Sequence, residues 1–414
     1  MLTPRNTLSL TIEKPAVGGR MIARVGGQIV LVRGAIPGER VTARIERVGK
    51  GVAYAETLSA DEPSPDRRPP FTDLLCGGCL YAHIAYPRQL EIKALVIADA
   101  FARIGRLELP APVQVAASPE EGYRMRARLH MRGWRLGFFR EGTHEVCEAR
   151  STRQLLPETC DVLDRLTAAL RSLRLDVREI EVSENLNASE RVLHLEAADV
   201  DAASFQPVAR TDGLTGLLVG HVLVAGDPFV TDTFTAAGCA ITLRRHVLAF
   251  FQGNRYLLAD LVARVIGHLP PAGDVIDLYA GTGLFSIPAA VVRGVRVTAV
   301  EGDRVAAADL EANATAAGCA MTAVHQPVEG FTATAGQAPG AVIVDPPRTG
   351  MSREAVNGIV GLRARRVVYV SCDVATLARD ARRLVDAGYT IERAEAFDLF
   401  PNTPHVETVV TFGR

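Results

Sequence analysis

The chain has 414 residues, 48% of them hydrophobic, and a formal charge of -1 at neutral pH. That length and apolar content can build two or three packed domains and exclude a disordered chain, while the near-zero charge excludes capture of a polyanion by the molecule as a whole. Any nucleic-acid affinity must come from local clusters of positive charge. No apolar stretch reaches membrane-spanning length, and Met1-Leu2-Thr3-Pro4-Arg5 has no apolar leader core, so a soluble cytoplasmic protein is expected. Its seven cysteines should then be reduced, each an apolar filler, a metal ligand or a reactive group.

From about Leu8 to Leu58, short β-type runs alternate with glycines at Gly18-Gly19, Gly26-Gly27, Gly34, Gly38, Gly49 and Gly51, which predicts a small barrel over residues 1–60. Five charges and four prolines in Asp61 to Pro70 predict a linker. A helix is predicted over Tyr86 to Ile104, where Leu90, Ala94, Ile97 and Phe101 recur at helical spacing. Residues 70–230 otherwise read as a β-rich domain with one helix near Asp161 to Leu173; the 86–105 segment could pack on the domain that follows instead.

Within that region Arg124, Arg126, Arg128, Arg132, Arg135 and Arg140 lie close together, with His130 and Trp134 among them. Alternation puts Arg124, Arg126 and Arg128 on one strand face, either as an RNA-facing stripe or as an ordinary solvated surface. Trp134, Phe138 and Phe139 could stack on bases or fill the core. Cys160, Cys239 and Cys319 sit in contexts where a small hydrophobe would pack equally well.

From Val247 helices and strands alternate, which predicts an α/β domain over residues 245–414 with a mostly parallel sheet. Val275-Ile276-Asp277-Leu278-Tyr279 is an apolar strand leading into Ala280-Gly281-Thr282-Gly283 and a helix from Leu284. The next strand ends in Glu301, where a carboxylate can accept both hydroxyls of an adenosine ribose. Ser286 replaces the third glycine of a dinucleotide fingerprint, so S-adenosylmethionine, which carries no phosphate, fits better than a dinucleotide. The role of Asp277 stays open. A further strand, Ala341-Val342-Ile343-Val344, ends in Asp345-Pro346-Pro347-Arg348, and the prolines direct Asp345 outward. Val367-Val368-Tyr369-Val370 ends in Ser371-Cys372-Asp373, which presents a thiol nucleophile at the rim where such sheets hold ligands. Phe400-Pro401-Asn402-Thr403-Pro404-His405-Val406-Glu407 adds a carboxylate base that a returning strand could bring to the same place. His405 is expected to serve the turn rather than titrate.

With Phe250-Phe251-Gln252-Gly253-Asn254, these motifs resemble those of the S-adenosylmethionine-dependent RNA 5-methyluridine methyltransferases across essentially the whole chain. The resemblance implies a Rossmann-like methyltransferase domain, an N-terminal TRAM barrel that binds RNA, and a β-rich central domain. It implies that Gln252, Tyr279, Glu301 and Asp345 bind the cofactor or frame the target base, that Cys372 is the nucleophile and that Glu407 is the base. The TRAM module favours 23S ribosomal RNA over transfer RNA as substrate. A monomer is expected. Many relatives also carry an iron-sulfur cluster on four cysteines. Here Cys76-Gly77-Gly78-Cys79 supplies the middle pair, Pro70 takes the first position, and the fourth would fall near Thr152 with Cys147 five residues early. Two thiolates cannot hold such a cluster, so none is expected. The pair is either a relic turn or part of a metal site completed by Cys147 and an outside ligand. Val374 also departs from the pattern, standing where relatives usually have proline.

In the implied chemistry Cys372 adds to carbon 6 of uracil and makes carbon 5 nucleophilic toward the methyl group. A helix starting near Val374 is expected to favour the thiolate. An amino-group methyltransferase is the rival enzyme, but it would carry Pro-Pro-Tyr or Pro-Pro-Phe where Arg348 stands. An RNA-binding protein with a vestigial catalytic domain is the rival from another class, and Cys372 and Glu407 speak against it.

Overall fold

The structure, a computed structural model, describes residues 2–197, 201–336 and 338–414. Val41, Ala43 and Ile45 point inward from Arg40–Val48, and Val30 and Val32 from Gln28–Arg33, while the residues between them are less buried. This period of two closes a six-stranded barrel-like sheet in the order Thr7–Thr11, Arg40–Val48, Val52–Glu62, Gln28–Arg33, Met21–Val25 and Lys14–Pro15. The proline-rich segment that follows is docked on the barrel. Arg67 donates to the fully buried Glu39 and, over 2.9 Å, to the carbonyl of Gly34.

Helix α1 spans Tyr86–Ala100 and runs into a wider turn at Phe101–Gly105. Its buried face is Gln89, Ile92, Lys93, Val96, Ile97 and Ala100. Of the predicted stripe, Ile97 and Phe101 are buried, whereas Leu90 and Ala94 are only half-buried because Gln89 and Lys93 take the inward positions beside them. One continuous core joins the barrel, this helix and the last domain, from Val30 and Ile45 through Ile92 and Ile97 to Val344, Tyr369 and Phe412.

The central sheet has seven strands in the order Val146–Glu148, Arg135–Phe139, Arg126–Arg132, Val177–Glu184, Arg191–Ala197, Gly216–Val219 and Val222–Gly226. Helix α2, Pro157–Leu173, buries Leu163, Leu166 and Leu170 against Ala127, Leu129, Ile180 and Val182. Arg126, Arg128 and Arg132 consequently face the other way, as alternation requires. Arg126 and Arg128 both pair with Glu181 on the neighbouring strand, which neutralises part of the stripe. Cys160 is buried as expected, whereas Cys239 and Cys319 are only half-buried. Both follow a turn-forming glycine; Cys319 nonetheless packs against the buried cluster that includes Val295 and Val297, as a small hydrophobe would, whereas Cys239 opens the second strand of a hairpin.

The hairpin Phe229–Ala236 and Cys239–His246 bridges to the last domain, with Arg245 fully buried and donating to Asp232 at 2.7 Å. The last sheet runs Met321–His325, Val297–Glu301, Val275–Leu278, Ala341–Val344, Arg366–Ser371, Glu407–Gly413, Thr390–Phe397 and Val115–Ala116. Its edge strand at Val115–Ala116 comes from the segment that the sequence places with the central domain. The five strands from Met321–His325 to Arg366–Ser371 are parallel, and the order reverses on either side of Val275–Leu278. At such a reversal the connections leave in opposite directions and open a crevice at the carboxyl ends.

Candidate active site

Tyr279, Glu301, Asp345 and Cys372 all stand at carboxyl ends of the parallel strands, on that crevice. The strand Glu407–Gly413 returns antiparallel to Arg366–Ser371, with Ser371 opposite Thr408. Cys372, one residue after Ser371, therefore lies beside Glu407, one residue before Thr408. Had this strand run parallel, Glu407 at its start would lie at the opposite edge of the sheet from Cys372.

Glu301 holds the glycine turn. One carboxylate oxygen accepts the N–H of Gly281 at 2.8 Å, and the other accepts that of Asp303 at 2.6 Å. Tyr279 sits at φ +62°, a left-handed conformation uncommon for a bulky side chain, at the point where the strand turns into the glycines. In the Phe250–Asn254 segment, Phe251 is buried and Gln252 donates to Asp345 at 3.4 Å. Asn254 ties the segment down by donating to Ser118 and to the carbonyl of Leu399. Phe250 is 63% exposed, with the Arg126 guanidinium 5.8 Å from its ring centre.

Carboxylates dominate the electrostatics. Burial pushes Asp277 up to about 8, with Asp345 and Glu301 adding to the effect, and pushes Asp345 to about 7 against the hydrogen bond from Gln252. Glu407 is 1% exposed and is held well above the ordinary carboxylate range by burial and by Asp345, while Arg348 pulls it down. Cys372 is pushed up to about 12 by burial and then by Glu407 and Asp345, with Arg348 opposing. The expected depression of this thiol is not found. A helix does begin at Val374, but its first N–H groups are taken by the Asp373 side chain, which accepts from Ala375 at 3.1 Å and Thr376 at 2.8 Å. His405 is pushed down to about 4 by burial and by the cations Arg348, Lys93 and Arg124, so it is neutral near pH 7, in keeping with a role in the turn.

Two arginines at the site were not singled out as site residues in the sequence. Arg348 faces both Cys372 and Glu407. Arg124, expected on the surface stripe, turns inward instead and hydrogen-bonds Gln154 at 2.7 Å, close enough to Arg348 for mutual repulsion. The position of Arg348 directly after Asp345-Pro346-Pro347 was the available signal for it. Of the aromatics considered for base stacking, Phe138 is buried and Phe139 stacks on His130, whereas Trp134 is 36% exposed on a hairpin turn. Phe250 is the more exposed ring, and it lies two residues from Gln252 in the chain.

The expectation that every cysteine is reduced fails at Cys76 and Cys147, which form a disulfide. Although Cys147 stands five residues before the expected fourth position, pairing of Val146–Glu148 with Gly137–Phe139 brings it beside Cys76. Cys79 packs beside the two, and burial followed by Asp73 pushes its thiol up to about 12. Three sulfurs leave one position of a four-cysteine cluster unfilled, and the exposed Pro70 cannot supply it. Among the described residues no group of three or more His, Cys, Asp or Glu side chains is arranged to hold a metal ion. The donor set does not fit an iron-sulfur cluster.

A doubly wound sheet with a glycine turn, an acid closing the second strand and no third fingerprint glycine suits the phosphate-free cofactor of an S-adenosylmethionine-dependent methyltransferase. The family model described as tRNA (Uracil-5-)-methyltransferase matches residues 214–414, and the TRAM domain model matches residues 2–58. The 23S rRNA (uracil(1939)-C(5))-methyltransferase RlmD of Pseudomonas putida is 34% identical over 97% of this chain and 93% of its own length. That of Methylococcus capsulatus is 31% identical over 99% and 98%. The solved structure of Pyrococcus abyssi tRNA (uracil-54, C5)-methyltransferase in complex with S-adenosyl-L-homocysteine shares the fold with a TM-score of 0.77 at 22% identity, covering 98% of this chain and 100% of that one. The chain belongs to the RNA uracil-5-methyltransferase family.

Proposed function

We propose that this chain transfers a methyl group from S-adenosylmethionine to carbon 5 of one uridine in 23S ribosomal RNA, through a transient bond between Cys372 and carbon 6 of the ring. The observation that carries the reading is the antiparallel register that sets Cys372 beside Glu407 at the rim holding Glu301 and Asp345. Carbon 5 of uracil is a weak nucleophile until a thiolate has added at carbon 6. Arg348, facing the sulfur, favours its ionised form at that moment. Glu301 and Tyr279 line the adenosine side of the crevice, while Gln252 and Asp345 frame the reacting end. The cofactor supplies the methyl carbon and, as a sulfonium, brings a positive charge into a crevice of carboxylates. Glu407, drawn by Arg348 toward its ionised form against the effect of burial, then takes the proton from carbon 5, which lets the thiol leave. A uridine must leave its stack to enter, at a cost of about a few kcal/mol, so a loop is the natural target.

The RlmD relatives support ribosomal RNA, and the expectation is of a monomer working in the cytoplasm. The barrel does not separate the substrates. The transfer-RNA enzyme from Pyrococcus abyssi covers 98% of this chain, which leaves no room for a missing barrel of residues 2–58. Transfer RNA is therefore the second reading. The test uses 23S rRNA and a transfer-RNA T-loop, each with 5-fluorouridine at the target. The wild type should form a denaturant-stable adduct with the ribosomal RNA and Cys372→Ser none, because fluorine at carbon 5 blocks the final elimination. Trapping by the T-loop alone would shift the substrate, and no trapping of either would overturn the covalent scheme.

A further inference from the structure

Glu407 is fixed by its strand on one side only; on the other it follows a loop, Phe400 to Val406, that lies outside any regular element. The side chains that hold this loop come from the opposite end of the chain. Gln89 on helix α1 accepts the backbone N–H of Asn402 at 2.9 Å and donates to the Asn402 side-chain oxygen at 3.0 Å. Its amide also donates to the carbonyls of Tyr81 and Ile84, at 3.2 and 2.9 Å. Tyr81 returns a backbone N–H to the carbonyl of Asn402 at 2.8 Å, and Arg68 donates to the Asn402 side chain at 2.9 Å. One turn further along α1, Lys93 forms an ion pair with Asp398 and donates to the carbonyl of Phe400 at 3.1 Å. A glycine turn of the barrel closes the set: a Cβ on Gly19 would meet Pro404 at 3.0 Å, and Gly19 sits at φ +87°, so no larger residue fits there without strain.

Gln89, Lys93, Asp398 and Asn402 are all at most 3% exposed. Fully buried amides and charges are costly, and on the inward face of an amphipathic helix leucine or isoleucine would supply packing at lower cost. Lys93 is one of only three lysines among 46 basic residues in a chain that otherwise uses arginine. An ammonium suits this site because it is a compact point donor, whereas a guanidinium needs the room of a planar fork. Asn402 itself is at φ +64°, a backbone strain held in place by these partners. The two polar residues on the buried face of α1 are thus explained by the loop they grip rather than by stability.

We propose that Gln89 and Lys93 are positioning residues for Glu407, through which the barrel and helix α1 set the step that releases the methylated uridine. This rests on the reading of Cys372 and Glu407 given above. In that step the Glu407 carboxylate takes the proton from carbon 5, the C–H electron pair becomes the C5–C6 double bond, and the C6–S bond breaks with its pair returning to the Cys372 sulfur. A loop that drifts leaves the earlier addition and methyl transfer intact and slows only this elimination.

The test uses the full-length protein with unmodified ribosomal RNA and methyl-labelled cofactor in a single turnover, following both labelled RNA and denaturant-stable protein–RNA adduct over time. Gln89→Leu and the charge-balanced double variant Lys93→Met with Asp398→Asn should form adduct and transfer the label at rates within about threefold of wild type. Their adduct should then decay at least tenfold more slowly. Glu91→Ala, on the exposed face of α1, should behave as wild type. Adduct decay at the wild-type rate in Gln89→Leu would overturn the proposal, as would loss of label transfer and adduct in the same proportion as loss of folded protein. If the double variant fails to fold, Gln89→Leu decides alone. Glu407→Gln separates the two readings: if it accumulates adduct and Gln89→Leu does not, the positioning role fails. If Glu407→Gln accumulates none, the base assignment fails and the positioning proposal falls with it.

Discussion

Replacing Arg348 with methionine removes a cation that pulls both Cys372 and Glu407 toward their ionised forms while keeping the length of the side chain. A hydrogen bond to a charged group contributes about 1.5–3 kcal/mol when buried. Arg348 is exposed, so water screens part of this and roughly 1–1.5 kcal/mol should remain. That corresponds to adduct formation about 5- to 12-fold slower at saturating RNA. The sign over pH follows from the thiol being pushed up to about 12, well above the working range. Between about pH 6 and 9 only the rising limb of thiolate formation is sampled, so adduct formation should climb with pH in both proteins, with the variant lower by the same factor throughout. The assay is the rate of denaturant-stable adduct formation with 5-fluorouridine RNA over that range. If Arg348→Met lowers RNA affinity but leaves the saturated rate unchanged, Arg348 serves the RNA backbone and the electrostatic argument for the thiol is refuted.

Thiol titration of the denatured, unreduced protein should find five free cysteines, rising to seven after reduction, and the native protein should carry no stoichiometric iron; a four-iron absorbance band would contradict the three-sulfur site. Asp277 is fully buried with a carboxyl pushed to about 8, whereas an unfolded aspartate titrates near about 4. Between those values the folded protein holds a proton that the unfolded chain has lost, so stability falls as pH rises from about 4 to 8. Asp277→Asn should therefore gain stability over wild type through that window, on the order of a few kcal/mol by pH 8, and denaturant melts showing a gain that does not grow with pH would count against this. Phe250→Ala should weaken RNA binding by about 1–3 kcal/mol, the usual worth of a base stacked on an aromatic ring, with cofactor affinity unchanged; equal RNA affinity would remove Phe250 from the interface.

The sequence by itself determined the parts that local chemistry encodes. Apolar runs that end in Tyr279, Glu301, Asp345 and Cys372 read as parallel strands, and strands of that kind keep their chemistry at one end, so four of the six proposed site residues could be placed on one rim before any coordinates. Gln252 and Glu407 were different, since nothing near them in the chain says which way they face. Only the antiparallel return of Glu407–Gly413 put the carboxylate beside the thiol, because in such a pair the start of one strand lies at the end of the other. Tertiary structure alone likewise decided that Arg124 turns inward, that Cys147 reaches Cys76, and that Gln89 and Lys93 take inward positions on α1. Each of these depends on contacts between residues far apart in the chain, and local periodicity carries no information about what waits on the other side of a contact.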